Sequence, residues 1–226
     1  MSEGIVSVTG LIAHGRGEAF DYLLGEKTVP EAEAAEKAAA AMLVLATRPM
    51  ITINGNAAAL AAKELAMLSR SSGAPMEVNL FHRSDARMAK VIAFVEDETG
   101  EKVLGRDQDG ILPGIASDRS RCTREGLLAA DVVLIPLEDG DRAEAMVKAG
   151  MKVISIDLNP LSRTNQEATV SVVDEITRAV PNITAWVDRL KRDSDEARRI
   201  LNDYQNKRNL SSVVDRICQG LKEHQA

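Results

Sequence analysis

The pattern of apolar and polar positions divides the chain into alternating strands and helices. It is clearest over residues 131–164, DVVLIPLEDGDRAEAMVKAGMKVISIDLNPLSRT. A run from Asp131 to Pro136, mostly Val, Leu and Ile, leads into an acidic turn, Glu138-Asp139-Gly140-Asp141. Ala143, Met146 and Val147 then recur at helical spacing, with Gly150 following as a C-cap. A second apolar run, Val153 to Ile156, ends at Asp157. Pro160 prevents the segment from Leu158 to Thr164 from continuing as a strand, so it reads as a loop. Strand, helix and strand make one right-handed βαβ unit of a parallel sheet. Ligands of such sheets bind outside the carboxyl ends of the strands, where the acidic turn and the 157–164 loop both lie.

The same reading extends in both directions. Residues 4–13 are apolar and punctuated by glycine, His14-Gly15-Arg16-Gly17-Glu18 follows, and Ala19 to Leu24 forms a short helix closed by Gly25. Thr28-Val29-Pro30-Glu31 has the form of a capping box with Pro in the first turn, opening a helix to about Thr47. Its dense alanine face suits the close approach of another backbone. Pro49 stops that helix, Met50 to Ile53 is a strand, Asn54-Gly55-Asn56 a turn, and residues 57–71 a second Ala/Leu helix. Met76 to Phe81 is the next strand and residues 85–99 a helix with Met88, Val91, Ile92 and Val95 on one face. Residues 100–121 form a long excursion loop, and loops of that length in compact domains tend to be functional. Thr123 to Ala130 reads as a short helix, Ala168 to Val173 as a strand, and Asp174 as the cap of a helix that Pro181 kinks or splits before Ile183 to Arg192. Ser194 caps a polar helix and Val213 to Leu221 forms the last one. The expected fold is α/β and Rossmann-like, a mostly parallel sheet flanked by helices. It forms one domain over 1–226, with the helices from about 183 onward as a C-terminal extension.

Composition narrows the function. At 226 residues the chain can bury a sizeable core, and with 3% aromatics that core must lean on Ala, Val, Leu, Ile and Met. A net charge of −6 argues against a general nucleic-acid surface, yet a few arginines focused in a cleft can still hold an anionic small ligand. Cys122 and Cys218 match no metal spacing and each reads as a small buried hydrophobe. With no transmembrane-length run and no basic leader, a soluble cytoplasmic protein is expected, without membrane or nucleic-acid partners.

Four clusters carry candidate chemistry. Arg16 between two glycines suits a phosphate or carboxylate, and equally a turn with a solvated arginine; His14 beside it fits either. Asn54 and Asn56 stand at a strand-to-helix transition, where helix amides can hold a phosphate or an Asn-Gly turn can play its ordinary part. Asn79, His82 and Arg83 end the next strand and could donate to a phosphate, or be solvated. Glu138, Asp139 and Asp141 could bind Mg²⁺ or simply stabilise a helix N-terminus. Asp157, Asn159, Ser162, Arg163 and Thr164 form the densest polar cluster, suited to a purine, a ribose or a polyphosphate. Neither GxGxxG nor a P-loop lysine is present.

Five strings in order, GLIAHGRGEAFDYLLGE, INGNAAAL, EVNLFHR, VVLIPLEDGDR and VISIDLNPLSRT, resemble the archaeal phosphopantothenate synthetases, the 4-phosphopantoate–β-alanine ligases, from about Gly4 to Leu210. The resemblance implies an ATP-dependent ligase of coenzyme A biosynthesis. Such an enzyme adenylates the 4-phosphopantoate carboxylate, joins it to β-alanine, and releases AMP and diphosphate. It implies ATP as substrate, usually with Mg²⁺, and a homodimer for which the Ala-rich helices offer an interface. It places Arg16, Asp157, Leu158, Asn159, Arg163, Thr164, Glu175 and Ile176 at the nucleotide. Beside that pattern, Arg16, Arg83, Asp139 and Arg142 are the candidates for the chemistry, and His14, Asn54, Asn56, Asn79 and His82 for substrate binding. Two departures stand out. The family has a basic segment upstream that supplies a further arginine to the nucleotide, whereas this sequence starts at Met1, so that either the sequence is short of that segment or the contact is absent. Glu175 also stands where a neutral Asn is expected. Two other readings stay open: a non-catalytic nucleotide- or coenzyme-binding module on the same fold, and a sugar-phosphate isomerase or transferase working without ATP.

Overall fold

The computed structural model describes residue 1 and residues 3–223. Five strands form one parallel sheet: β1 (Pro49–Ile53), β2 (Met76–Val78), β5 (Val132–Pro136), β6 (Lys152–Ile156) and β7 (Val170–Val172), in the order β2-β1-β5-β6-β7. A two-residue antiparallel ribbon, β3 (Gly110–Ile111) with β4 (Arg121–Cys122), lies inside the excursion loop. The helices are α1 (Val8–Leu24), α2 (Pro30–Leu45), α3 (Gly55–Ser72), α4 (Asp85–Thr99), α5 (Gly140–Lys148), α6 (Arg163–Glu167), α7 (Ile176–Leu190), α8 (Ser194–Asp203) and α9 (Asn206–Glu223).

Both faces of the sheet are covered, and its central strand β5, VVLIP, is an unbroken apolar run. Alternate residues of β5 serve opposite faces. Val132 and Leu134 join Ile51, Ile53, Ile154 and Ile156 under α2, α3 and α7. Val133 and Ile135 join Met50 and Val153 under α5 and the excursion loop, with Leu112, Cys122 and Leu127. The alanines of α2, Ala35 and Ala38 to Ala41, are fully buried within the chain. They are consumed by its own core and offer no face to a second copy. Among the described residues no helix is long and apolar enough to cross a membrane.

Several local expectations change. The HGRG stretch is no turn: α1 runs unbroken through it, capped by Ser7, whose hydroxyl accepts from Gly10 N at 3.1 Å. Thr28 does not cap α2, because its hydroxyl donates to Asp174 Oδ2 at 2.6 Å and Val29 stands at the cap without a side-chain bond. The 76–81 strand ends at Val78. Residues 123–130 make only one 3-10 turn, Leu127–Ala129, because the buried Glu77 carboxylate takes the N–H groups of Thr123 at 3.0 Å and Leu127 at 2.9 Å. Pro181, the sixth residue of α7, leaves the helix continuous from Ile176 to Leu190. Glu175 rather than Asp174 caps α7, Asp193 rather than Ser194 caps α8, and the last helix is longer than 213–221.

Glu36, fully buried on α2, leaves Oε2 without a hydrogen-bond partner, while Oε1 accepts from Asn182 Nδ2 at 3.2 Å. Burial pushes its pKa up to about 8, against the Asn182 bond and with the charge of Asp174 adding to the rise. The unfolded chain releases this proton near the ordinary value of 4.5, so folding binds a proton between the two values, and stability falls as pH climbs through that window. Glu36→Gln, neutral at every pH, is expected to flatten that slope; urea unfolding at a series of pH values checks it.

Candidate active site

All five strands of the main sheet are parallel, so their carboxyl ends share one edge. From β1 the chain crosses by α3 to β2, whereas from β5 it crosses by α5 to β6, in the opposite direction across the sheet. The reversal between β1 and β5 is the switch point of the sheet, and crevices form at such points. A cavity of about 880 Å³ opens there, of a size that holds small-molecule ligands.

Asn54 forms its floor. Its Oδ1 accepts from Asn56 N and Ala57 N, both at 3.0 Å, and so caps α3. Its Nδ2 donates to Pro136 O and Leu137 O, both at 3.0 Å, across the switch point. Leu137 has φ +52°, a left-handed conformation costly for a branched side chain, and such strain collects at functional sites.

One end of the cavity is made by the start of α3 and by α4. Gly55 and Asn56 line it, and a Cβ at Gly55 would stand 2.2 Å from Ile5 O, so only glycine lets the helix begin there. His82 lines it too, its Nε2 3.3 Å from Thr9 Oγ1. Arg87 completes this end, donating through Nη1 to His82 O at 2.8 Å and through Nη2 to Ile5 O at 2.9 Å. Sequence reading chose Arg83 instead. Arg83 turns to the excursion loop, donating to Gln108 Oε1 at 3.0 Å and pairing with Asp85. The signal for Arg87 was its place one turn before Val91, on the flank of the buried face of α4.

The other end lies between α1 and the loop after β6. His14, Arg16 and Gly17 of α1 face Leu158, and His14 pairs with Glu18 at 3.3 Å. Asp157 Oδ1 accepts from Asn159 N at 2.9 Å, and Asn159 Oδ1 accepts from Leu161 N at 2.9 Å, so the loop is a pair of Asx turns. Burial pushes the Asp157 carboxyl above its ordinary value, opposed by the Asn159 amide, the Ser162 hydroxyl and the charge of Arg16. The loop is shorter than expected, because α6 begins at Arg163 under a cap from Ser162. Thr164 Oγ1 donates to Glu138 O at 2.8 Å, joining this loop to the acidic turn.

The acidic turn is itself tied up. Asp139 caps α5, and its Oδ2 lies 2.9 Å from Arg119 Nη2. Arg119, from the excursion loop and absent from the sequence candidates, stacks 4.4 Å over Phe81. Arg163 pairs with Asp141 and lies 4.0 Å from Asp139. Among the described residues no three His, Cys, Asp or Glu side chains are grouped to hold a metal ion. Asp139, which lines the cavity, has Oδ1 engaged by Asp141 N at 3.0 Å and Oδ2 by Arg119.

The cavity thus brings together His14, Arg16, Asn54, Asn56, His82, Asp139, Asp157, Leu158, Asn159, Arg163 and Thr164. It does not gather Asn79, Arg83, Arg142, Glu175 or Ile176. Asn79 is buried and donates to Arg121 O at 2.8 Å, anchoring the excursion loop. Arg142 is 1% exposed behind the wall, bonded to Glu138 Oε2 at 2.8 Å. Glu175 caps α7 and Ile176 packs in the core, both beyond β7.

Fold and cavity define a parallel α/β protein with an arginine-bearing cavity at its switch point. The model of the phosphopantothenate/pantothenate synthetase family matches residues 31–220, and the chain belongs to that family. A 4-phosphopantoate–β-alanine ligase of Methanospirillum hungatei is 54% identical over 190 residues, covering 84% of this chain and 77% of its own. The ligase of the same name from Methanosarcina mazei is 46% identical over 220 residues, covering 97% and 87%. That from Thermococcus onnurineus is 44% identical over 216 residues, covering 95% and 83%.

Gly140 holds a testable part of this geometry. A Cβ there would stand 2.7 Å from both Cβ and Nε of Arg163, and the Cβ cannot swing away. Gly140→Ala is expected to displace Arg163, lower stability by about 1–3 kcal/mol and weaken nucleotide binding about tenfold, as measured by calorimetry and thermal unfolding.

Proposed function

We propose that the chain is an ATP-dependent amide-forming ligase that joins 4-phosphopantoate to β-alanine in coenzyme A biosynthesis, releasing AMP and diphosphate. The observation that carries this reading is the two-ended cavity of a chain in this family. Arg16, the 157–159 turns and Arg163 suit a nucleotide at one end; the start of α3 with Arg87 and His82 suits a phosphomonoester at the other.

A free carboxylate is a poor acyl donor at neutral pH, and two ends facing one space allow its activation. A carboxylate oxygen of 4-phosphopantoate attacks the α-phosphorus of ATP, and the bond to diphosphate breaks. The β-alanine nitrogen then attacks the acyl carbon, the bond to AMP breaks, and the nitrogen loses a proton. Arg16 and Arg163 oppose the charge of the polyphosphate. Arg87 and the α3 amides fix the substrate phosphate, so that carboxylate and α-phosphorus meet over the switch point. Mg²⁺ on the polyphosphate, shared with Asp139, would withdraw charge from the leaving diphosphate. Phe20, Leu80, Leu137 and Leu158 line the space between and exclude water from the acyl-adenylate. The reading includes a homodimer in the cytoplasm. Its support is the outward face of α1, where Val8, Leu11, Ile12 and Tyr22 stand exposed.

With ATP, Mg²⁺, 4-phosphopantoate and β-alanine, AMP is expected only when all components are present. AMP that is formed without β-alanine, or ADP as the sole product, contradicts the route, and no turnover at all favours a binding module. Arg16→Ala is expected to lower kcat/KM for ATP about 10²–10³-fold, whereas Arg87→Ala raises KM for 4-phosphopantoate by a similar factor and leaves that for ATP nearly unchanged.

A further inference from the structure

The nucleotide end of the cavity is held from behind by side chains that do not line it. Asn165, fully buried in α6, donates from Nδ2 to Asp157 O at 2.8 Å and to Asn159 O at 2.9 Å. Its Oδ1 accepts from Ser155 Oγ at 2.6 Å, and its own carbonyl accepts from Ser171 Oγ at 2.7 Å. Ser171 is the middle residue of β7, the last strand in the sheet order. Where a sixth strand would pair, Asn206 stands instead, the first residue of α9. Its Oδ1 accepts from Ser171 N at 2.8 Å, and its Nδ2 donates to Ala168 O and Ser171 Oγ, each at 2.9 Å. A side-chain amide offers the donor and acceptor of a peptide, so this one residue takes the outward N–H of Ser171 and the carbonyl of Ala168. An unbroken relay therefore runs from Asn206 through Ser171 and Asn165 to the loop that faces Arg16.

The opposite wall is held by the same helix. Leu210, Val213 and Ile217 of α9 form one apolar cluster with Leu24 and Phe20 of α1, which carries His14 and Arg16. Thus α9 supports one wall at its first residue and the other along its length. The phosphomonoester end rests on α3 and α4 and has no part in the relay.

We infer that α9 is a brace that sets the gap between Arg16 and the Asp157–Asn159 turns, with Asn206 as a positioning residue for the nucleotide acting through Ser171 and Asn165. The inference rests on the nucleotide reading of that end. It gives the brace a specific consequence. The carbonyls of Asp157 and Asn159 now point inward to Asn165; released, they are free to turn lone pairs toward a polyphosphate.

The test uses the full chain, with Asn206→Ala, Ser171→Ala and, as a reference for the nucleotide reading, Arg163→Ala. Asn206→Ala is expected to raise KM for ATP about tenfold and Ser171→Ala about threefold, with KM for 4-phosphopantoate and β-alanine moving less than about twofold. Amide hydrogen exchange over residues 157–165 is expected to quicken in both. If Asn206→Ala fails to fold, Ser171→Ala, which removes one hydroxyl and keeps the edge contacts to backbone, carries the test. A parallel rise in KM for all three substrates, or an unchanged KM for ATP where Arg163→Ala raises it, overturns the brace. If Arg163→Ala itself leaves KM for ATP unchanged, the nucleotide reading fails. Hydrogen exchange then decides alone: faster exchange supports the brace, unchanged exchange overturns it.

Discussion

The side-chain amide of Asn54 is the interaction on which the site depends. A parallel sheet whose crossovers diverge leaves a gap between the two strands at the reversal, and nothing in the backbone ladder closes it. Asn54 closes it from both sides, capping α3 with its oxygen and holding Pro136 O and Leu137 O with its nitrogen. The left-handed Leu137 lies at that tie, and Asp139 two residues on caps α5. One end of the cavity is built on α3, which Asn54 caps, and the acidic turn that follows the carbonyls it holds is joined to the other end through Thr164 and Glu138 O.

Much of the surrounding wall is arranged by opposed charges in the absence of ligand. Arg163 rests on Asp141 and Arg119 on Asp139. The Arg163–Asp141 pair is half exposed and contributes little to stability, whereas Arg119 is mostly buried against Phe81. Beside them Glu138, which lines the cavity, holds the buried Arg142, and the Glu138 carbonyl accepts from Thr164. The site is a small set of movable charges on a rigid polar base.

The sequence was most legible where one periodicity dominates. The strand–helix–strand pattern at 131–156 and the helix at 85–99 appear nearly as read, because burial on two faces of a strand or one face of a helix leaves a plain trace. It was least legible where side chains override local preference. The glycines of HGRG signal a turn, yet α1 continues because neither Gly15 nor Gly17 takes a positive φ. Residues 123–130 favour a helix, but Glu77 takes the N–H groups that would build it. The 157–164 cluster was visible as a concentration of polar residues after a strand. Arg87 was marked only by its place on the flank of the buried face of α4 and Arg119 by no spacing, because tertiary contacts to Ile5 O and Phe81 set where they stand. The alanines of α2 suggested an interface and serve the core instead.

In the proposed ligase both substrates meet at one switch point held by Asn54. Asn54→Ser separates its two functions, because serine keeps a good N-cap acceptor for α3 while losing the amide donor to β5. KM for ATP and KM for 4-phosphopantoate, measured under the same conditions with thermal stability as control, test it most directly. The account predicts that both rise together, each about tenfold, with α3 still folded. A rise for one substrate alone, or for neither, would contradict it.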